Sequence, residues 1–355
     1  MRKTIPNDFI ASDRGGVVEN RHTVHAAVTD AAGNILYAVG DPSRITLVRS
    51  AAKPAQTLAI LETGAAEHFN FDDGDVALMC ASNSSEERHI VRAKSMLLKV
   101  SASEENLRCG GHPPLSETVQ RTWIKSDFTP TPVCSNCSGK HVGMIGGAKM
   151  LAGDATDYHL STHPLQLHVK RVVDEICGLG QGDSVWGIDG CNLPAPAFPL
   201  HYLARMYATF AAAADAVASD SSLPPRMKML SRVFNAMWRY PELVGGENRF
   251  CTILMTAFQG LLIGKLGADG CYGIGIRECE QTRRLGALGA IGISVKIEDG
   301  NIGVLYLAVA EILEQLGIGE VGMRQALSEF HQQRILNTVN VQTGKLSPCF
   351  KVRVA

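Results

Sequence analysis

The sequence predicts a mixed α/β (α+β) fold, with one antiparallel sheet built from both ends of the chain around a helical insertion. Three observations predict it. Alternating, strand-like segments gather near the two ends, within residues 22–48 and 261–297. Helix-forming stretches dominate the middle. A proline-anchored helix starts directly after the first group of strands. The expected division is a sheet domain from residues 1–64 and 245–355, covered by the first and last helices. Residues 65–244 then form a mainly helical domain, with an active site in the cleft between the two.

Residues 1–15 read as irregular. Val24, Ala26 and Val28 alternate along one side of residues 22–30, Ala32-Gly33-Asn34 turns the chain, and residues 35–39 return as the second half of a hairpin. Residues 45–48 extend again, and a helix follows. Residues 74–80 are a short apolar run, expected to be buried. Ser84 and Glu87 match a capping box, which predicts a helix over 85–100 with Ile90, Ala93, Leu97 and Val100 inward. Residues 109–132, rich in Pro, Gly and Thr, read as a long loop with at most short helical pieces. Helices are expected over 142–151, from Pro164 with Leu167, Val169, Val172, Val173 and Ile176 inward, and over 200–218, 225–239 and 250–258. Residues 184–188 are extended and deliver Asp189-Gly190-Cys191-Asn192 to a loop closed by Pro194, Pro196 and Pro199. Strands are expected over 261–265, 271–276 and 291–297 and a helix over 304–316, with the remaining tail unassigned.

At 355 residues, 45% hydrophobic and 19% charged, the chain can bury a sizeable core. A net charge of -1 gives no electrostatic case for nucleic acid or for an acidic membrane surface. The basic residues within 1–8 precede no apolar leader segment, and no uncharged apolar run reaches the roughly 18 residues of a membrane span. Ten cysteines without such a leader fit a reducing, cytoplasmic setting, many of them as small buried hydrophobes.

The chemistry starts at Val48-Arg49-Ser50-Ala51-Ala52-Lys53-Pro54. Proline is tolerated only in the first turn of a helix, so the helix begins within about four residues of Pro54, and Ser50 falls where an N-cap serine belongs. Lys53 then sits one turn on, on the same face. The positive end of the helix dipole and any burial disfavour a charged amine there, which lets a lysine arm a serine without histidine. The alternative is a capped surface helix with a solvated lysine. Ser82, just before the next helix, is a second hydroxyl at a helix start.

The order of these features resembles the serine β-lactamase and penicillin-binding group and its glutaminase relatives. Ser82-Asn83 partly matches their second motif, and Lys265-Leu266-Gly267 loosely matches the third. The likeness sharpens in Arg14-Gly15-Gly16-Val17-Val18-Glu19, in the Ser50 block, in Met79-Cys80-Ala81-Ser82 and in Cys137-Ser138-Gly139-Lys140-His141. With Asp189-Gly190-Cys191 and Gly264-Lys265, these resemble the rhizobial-type (class 3) L-asparaginase family over roughly residues 12 to 300. The resemblance implies a β-lactamase-like fold, a homodimer, and hydrolysis of L-asparagine to L-aspartate and ammonia. One departure stands out: the family pattern places histidine after the second serine, where this chain has Asn83.

Ser50 is the expected nucleophile with Lys53 as its base, and the resemblance implies a second couple, Ser82 with Lys265, for proton relay; the sequence leaves open which of the two serines is acylated. It implies substrate contacts from Arg49, Asp189 and Asn83, Arg49 having the alternative of pairing a carboxylate elsewhere in the fold. Cys137, Lys140 and Cys191 match a site for one zinc ion per chain, completed by water. The competing spacing Cys134–x–x–Cys137 reads as a zinc ribbon or redox pair, but no second pair completes a four-cysteine site. Two rival functions remain: a glutaminase or other acyl-serine amidohydrolase, and a non-catalytic zinc-binding scaffold. The latter would have no need for the intact Ser50, Lys53, Ser82 and Lys265 set.

Overall fold

The computed structural model describes residues 8–180 and 182–355, so residues 1–7, the start of the stretch read as irregular, lie outside the described residues. The strands in chain order are β1 Phe9–Arg14, β2 Val17–Asp30, β3 Ile35–Val39, β4 Ile45–Leu47, β5 Val185–Ile188, β6 Pro194–Pro199, β7 Leu262–Gly267, β8 Cys271–Ile276, β9 Ile291–Ile297, β10 Arg334–Leu336, β11 Gln342–Cys349 and β12 Arg353–Val354. With the helices between them they make a mixed helix and antiparallel-sheet fold, as the sequence predicts. The chain separates into two compact units. One comprises the residues up to Ala51, Phe198–Ala212 and Ala257–Ala355; the other comprises Ala52–Ala197 and Ala213–Thr256.

The first unit is the sheet, in the order β10-β11-β1-β2-β9-β8-β7, with β3 pairing both β2 and β12. Both ends of the chain contribute, because β1 lies between β2 and β11, with Phe9 opposite Thr23 on one side and Cys349 on the other. The long strand β2 pairs β9 from Val24 opposite Ile297 to Asp30 opposite Ile291, burying Val24, Ala26 and Val28 as their alternation predicts. Residues 200–212 of the Leu200–Ser219 helix lie against this sheet very closely. A Cβ on Gly292 would stand 1.8 Å from the Ala204 carbonyl, so only glycine permits the approach. The Ile302–Gln315 helix buries Val304, Leu305, Ala308 and Ile312, and the Asn301 side chain caps it by accepting the Val304 N–H at 3.0 Å.

In the second unit, the Lys53–Glu62 helix packs on the Pro164–Cys177, Ser138–Ala152 and Pro225–Arg239 helices. It belongs to the helical unit; within the sheet unit, residues 200–212 lie against the sheet. Its nine buried residues leave almost no polar face to present to solvent, so it needs helices around it.

Several local expectations are corrected. Residues 9–14 form a strand, because β11 supplies a distant partner that no local pattern signals. The apolar run at 74–80 is buried as expected and lies in the helix Asp73–Met79, whose start is fixed by reciprocal bonds between Asp72 and Asp75. The next helix, Glu87–Lys99, is capped by Glu86 with His89 rather than by Ser84, whose hydroxyl turns instead to the Gly245 carbonyl at 2.9 Å. The loop expected over 109–132 contains the nine-residue helix Glu117–Lys125. In the Pro164–Cys177 helix the inward residue is Leu165, while Leu167 is 54% exposed. The proline-rich loop is strand β6, antiparallel to β5 with Ile188 opposite Pro194. Among the described residues no helix is long and apolar enough to cross a membrane.

Candidate active site

In the sheet unit, Arg49, Ser50 and Lys265 share one neighbourhood. The turn Arg49–Ala52 is a 3-10 helix that runs on into the Lys53–Glu62 helix. The N-cap of that longer helix is therefore Ala52, and Ser50 sits inside the tighter turn without a capping role. The helix starts at Lys53, with Pro54 in its first turn, as proline geometry requires. Arg49 has φ 50, a left-handed conformation that costs a side-chain-bearing residue about 1 kcal/mol or more. Three contacts hold it. A Cβ on Gly267, at the end of β7, would meet the Val48 carbonyl at 2.4 Å, so the strand end abuts this turn. The Tyr207 hydroxyl donates to the Ala51 carbonyl at 2.8 Å. The Arg49 guanidinium pairs with the Asp269 carboxylate in the β7–β8 turn, the internal partner that the sequence left open. Ser50 itself is half-buried. Lys265 lies two residues before Gly267 on β7, opposite Gly273, and is fully buried with its amine donating to the Leu266 carbonyl at 2.7 Å.

In the helical unit, Lys53, Ser82, Cys137, Lys140 and Cys191 converge. Lys53 is fully buried. Its amine donates to the Ala81 carbonyl and lies 3.2 Å from Ser82 Oγ and 3.1 Å from Cys137 Sγ. Ser82 is held from behind, its N–H donating to the Val244 carbonyl at 3.1 Å. Asn83, buried, donates its N–H to the Asn136 carbonyl, and its side-chain oxygen accepts the Ser85 N–H at 2.9 Å. That local Asn turn stabilises Ser85 at φ 57. The Asn83 side-chain nitrogen and the Ser138 hydroxyl are buried without hydrogen-bond partners.

The thiols and amines form one electrostatic group. Lys140 Nζ lies 3.2 Å from Cys191 Sγ, and Cys137 donates to the Asn136 side chain at 3.0 Å. The hydrogen bond between the two thiols pushes Cys137 up to about 12, with burial adding to it. The same bond, helped by Lys140 and Lys53 against burial, pushes Cys191 down to about 5. Burial works against the charge on Lys140, but the neighbouring sulfurs outweigh it and raise its pKa. Asp189, half-buried at the end of β5, accepts the Gly190 N–H at 2.7 Å. Cys134 takes no part: its sulfur faces the Thr131 hydroxyl at 3.8 Å, and it forms no disulfide with Cys137.

Two residues of this group went unassigned in the sequence. Asn136 touches Cys137, and its signal was a polar residue directly before the thiol. His141 follows Lys140, is fully buried against the Tyr158 hydroxyl at 2.6 Å, and is held neutral as burial pushes it down to about 3. Among the described residues no group of three or more His, Cys, Asp or Glu side chains could hold a metal ion; any site here needs lysine as a donor.

A buried serine–lysine contact is suited to moving protons in acyl transfer. A search of curated proteins finds no match to the chain. A family comparison matches residues 10–348, nearly the whole length, to the family described as L-asparaginase II. The chain belongs to the L-asparaginase II family and is an asparaginase-type amidohydrolase.

Proposed function

We propose that the chain hydrolyses L-asparagine to L-aspartate and ammonia through a serine acyl-enzyme. The observation that carries this reading is the Lys53 amine, 3.2 Å from Ser82 Oγ, whose partners here are a carbonyl, a hydroxyl and a thiol. In the first step Ser50 gives its proton to Lys53 as its oxygen bonds to the side-chain amide carbon. The carbon–nitrogen bond then breaks as the leaving nitrogen takes a proton relayed through Ser82 and Lys265, and ammonia departs. Water adds to the β-aspartyl ester, its proton returns to Ser50, and aspartate is released. Arg49 and Asp189 hold the substrate's α-carboxylate and α-ammonium, and the unpartnered Asn83 nitrogen offers one further donor.

The donor set of Cys137, Lys140 and Cys191 fits a zinc ion: two thiols in mutual contact and an amine beside them, all buried, next to an unpartnered Ser138 hydroxyl. Those three residues and a water would hold one ion per chain, which supplies positive charge that keeps the sulfurs ionised and the amine neutral. The family resemblance supports a homodimer, and ten unbridged cysteines support a reducing cytoplasm.

Ammonia release measured with asparagine and glutamine side by side tests the activity. Faster release from asparagine is expected; equal or faster release from glutamine transfers the reading to a glutaminase, and none from either favours the scaffold. Elemental analysis of protein purified without added metal should find one zinc per chain, lost in Cys137→Ala and in Cys191→Ala.

A further inference from the structure

Outside the groups assigned so far, the helical unit holds a cavity of about 580 Å³ between the Glu87–Lys99 and Glu117–Lys125 helices. That volume suits a small molecule. One wall is a single face of the first helix, formed by Glu87, Ile90 and Lys94 at positions i, i+3 and i+7. The other is a face of the second, lined by Val119 and Trp123, with the Phe128 ring tilted at 54° against Trp123 and 5.0 Å from it between ring centroids. No residue of the Glu117–Lys125 helix is buried, so its apolar side is left with the cavity rather than a packed neighbour. Val133 closes the far side. Glu104 holds it there by accepting the Val133 N–H at 2.8 Å through one carboxylate oxygen.

The chemistry of this lining is specific. An aromatic pair set at an angle supplies an apolar corner, two carboxylates (Glu87 and Glu104) offer partners for an ammonium, and the Lys94 amine offers one for a carboxylate. Only a ligand bearing both charges and an apolar body uses all of it. We propose that this cavity is a second binding site, for an α-amino acid with a large apolar or aromatic side chain, distinct from the amide-hydrolysing residues. The two sites are close along the chain. The cavity floor includes Ser85 and Cys134, joined by a hydrogen bond of 2.7 Å from the Ser85 hydroxyl to the Cys134 carbonyl. Ser85 also donates to Asn83, beside Ser82.

Isothermal titration of the full-length protein with L-phenylalanine tests the site. One saturable site with Kd below about 1 mM is expected, a modest affinity for a ligand of this size. Phenethylamine and 3-phenylpropionate, each keeping one of the two charges, should bind at least about tenfold more weakly. Lys94→Glu, on an exposed position that folding does not depend on, and Trp123→Ala should each weaken L-phenylalanine about tenfold while leaving asparagine turnover within about twofold. Absence of saturable binding up to about 10 mM overturns the site. So does binding that survives both substitutions, which places it elsewhere. Phenethylamine binding as tightly as L-phenylalanine overturns the amino-acid assignment.

Discussion

Two serine-bearing turns, Arg49–Ala52 in the sheet unit and residues 81–85 in the helical unit, reach similar backbone geometry by different means. Each contains a non-glycine residue in the left-handed region, Arg49 at φ 50 and Ser85 at φ 57. The first turn is fixed from outside: a bare strand end at Gly267, the Tyr207 hydroxyl and the Asp269 carboxylate press on it, and its serine stays half-buried. The second is fixed by its own side chains: Asn83 accepts the Ser85 N–H inside the turn, the Ser84 and Ser85 hydroxyls reach the Gly245 and Cys134 carbonyls, and its serine is only 6% exposed. A hydroxyl that keeps some access can meet a substrate, whereas one enclosed against a lysine is placed to pass protons on. That difference supports the proposed division, with Ser50 attacking and Ser82 relaying.

The largest effect should fall on that division. Ser50→Ala is expected to lower kcat at least about a thousandfold, and Ser82→Ala about ten- to a hundredfold with a changed pH profile, both with native circular dichroism. Acyl-enzyme trapped by rapid acid quench and located by mass spectrometry on Ser82 instead of Ser50 would reverse the assignment.

A smaller effect should follow from disturbing the outer brace alone. Gly267→Ala must displace the Val48 carbonyl, which a Cβ would approach at 2.4 Å. The expected result is a melting temperature lower by several degrees and a kcat reduced about tenfold, with KM less affected. Unchanged kcat in a destabilised variant would mean that the brace serves stability only.

The smallest effect concerns the helix start that follows the second turn and is a pH dependence. His89 accepts the Glu86 N–H at 3.1 Å and bonds the Glu242 carbonyl at 2.8 Å, so both ring nitrogens are committed in the neutral form. Burial lowers its pKa from the ordinary value. The unfolded chain therefore binds a proton below about pH 6.5 that the folded chain refuses, so stability present above that pH is lost as the pH falls. Urea melts from pH 7.5 to 5 should show this decline, and His89→Gln should flatten it; an equal slope in the variant would assign the decline to other histidines.

Where sequence and structure agree, the information was local. Pro54 marked the first turn of its helix, and Val24, Ala26 and Val28, read as one side of a strand, are buried in β2. Local cues failed where a distant partner decided. Residues 9–14 carry no strand pattern of their own, and β6 is rich in proline, yet β11 and β5 organise them. Ser84 looked like a cap because serine favours that position, but the Gly245 carbonyl competes for its hydroxyl and leaves Glu86 to cap. The serines, lysines and cysteines of the site were legible as residue types in motifs. The Lys53–Ser82 contact, the pairing of Arg49 with Asp269 and the place of Asn136 required the folded chain.

The position of β1 between β2 and β11 carries a consequence for biosynthesis. β1 leaves the ribosome more than 300 residues ahead of β11, and its second edge is paired only when β11 arrives. Nascent chains therefore spend the interval between the two strands with an unsatisfied strand edge, a state in which association with other chains competes with completion of the sheet. Truncation before residue 342 should yield insoluble material rather than a shorter working enzyme.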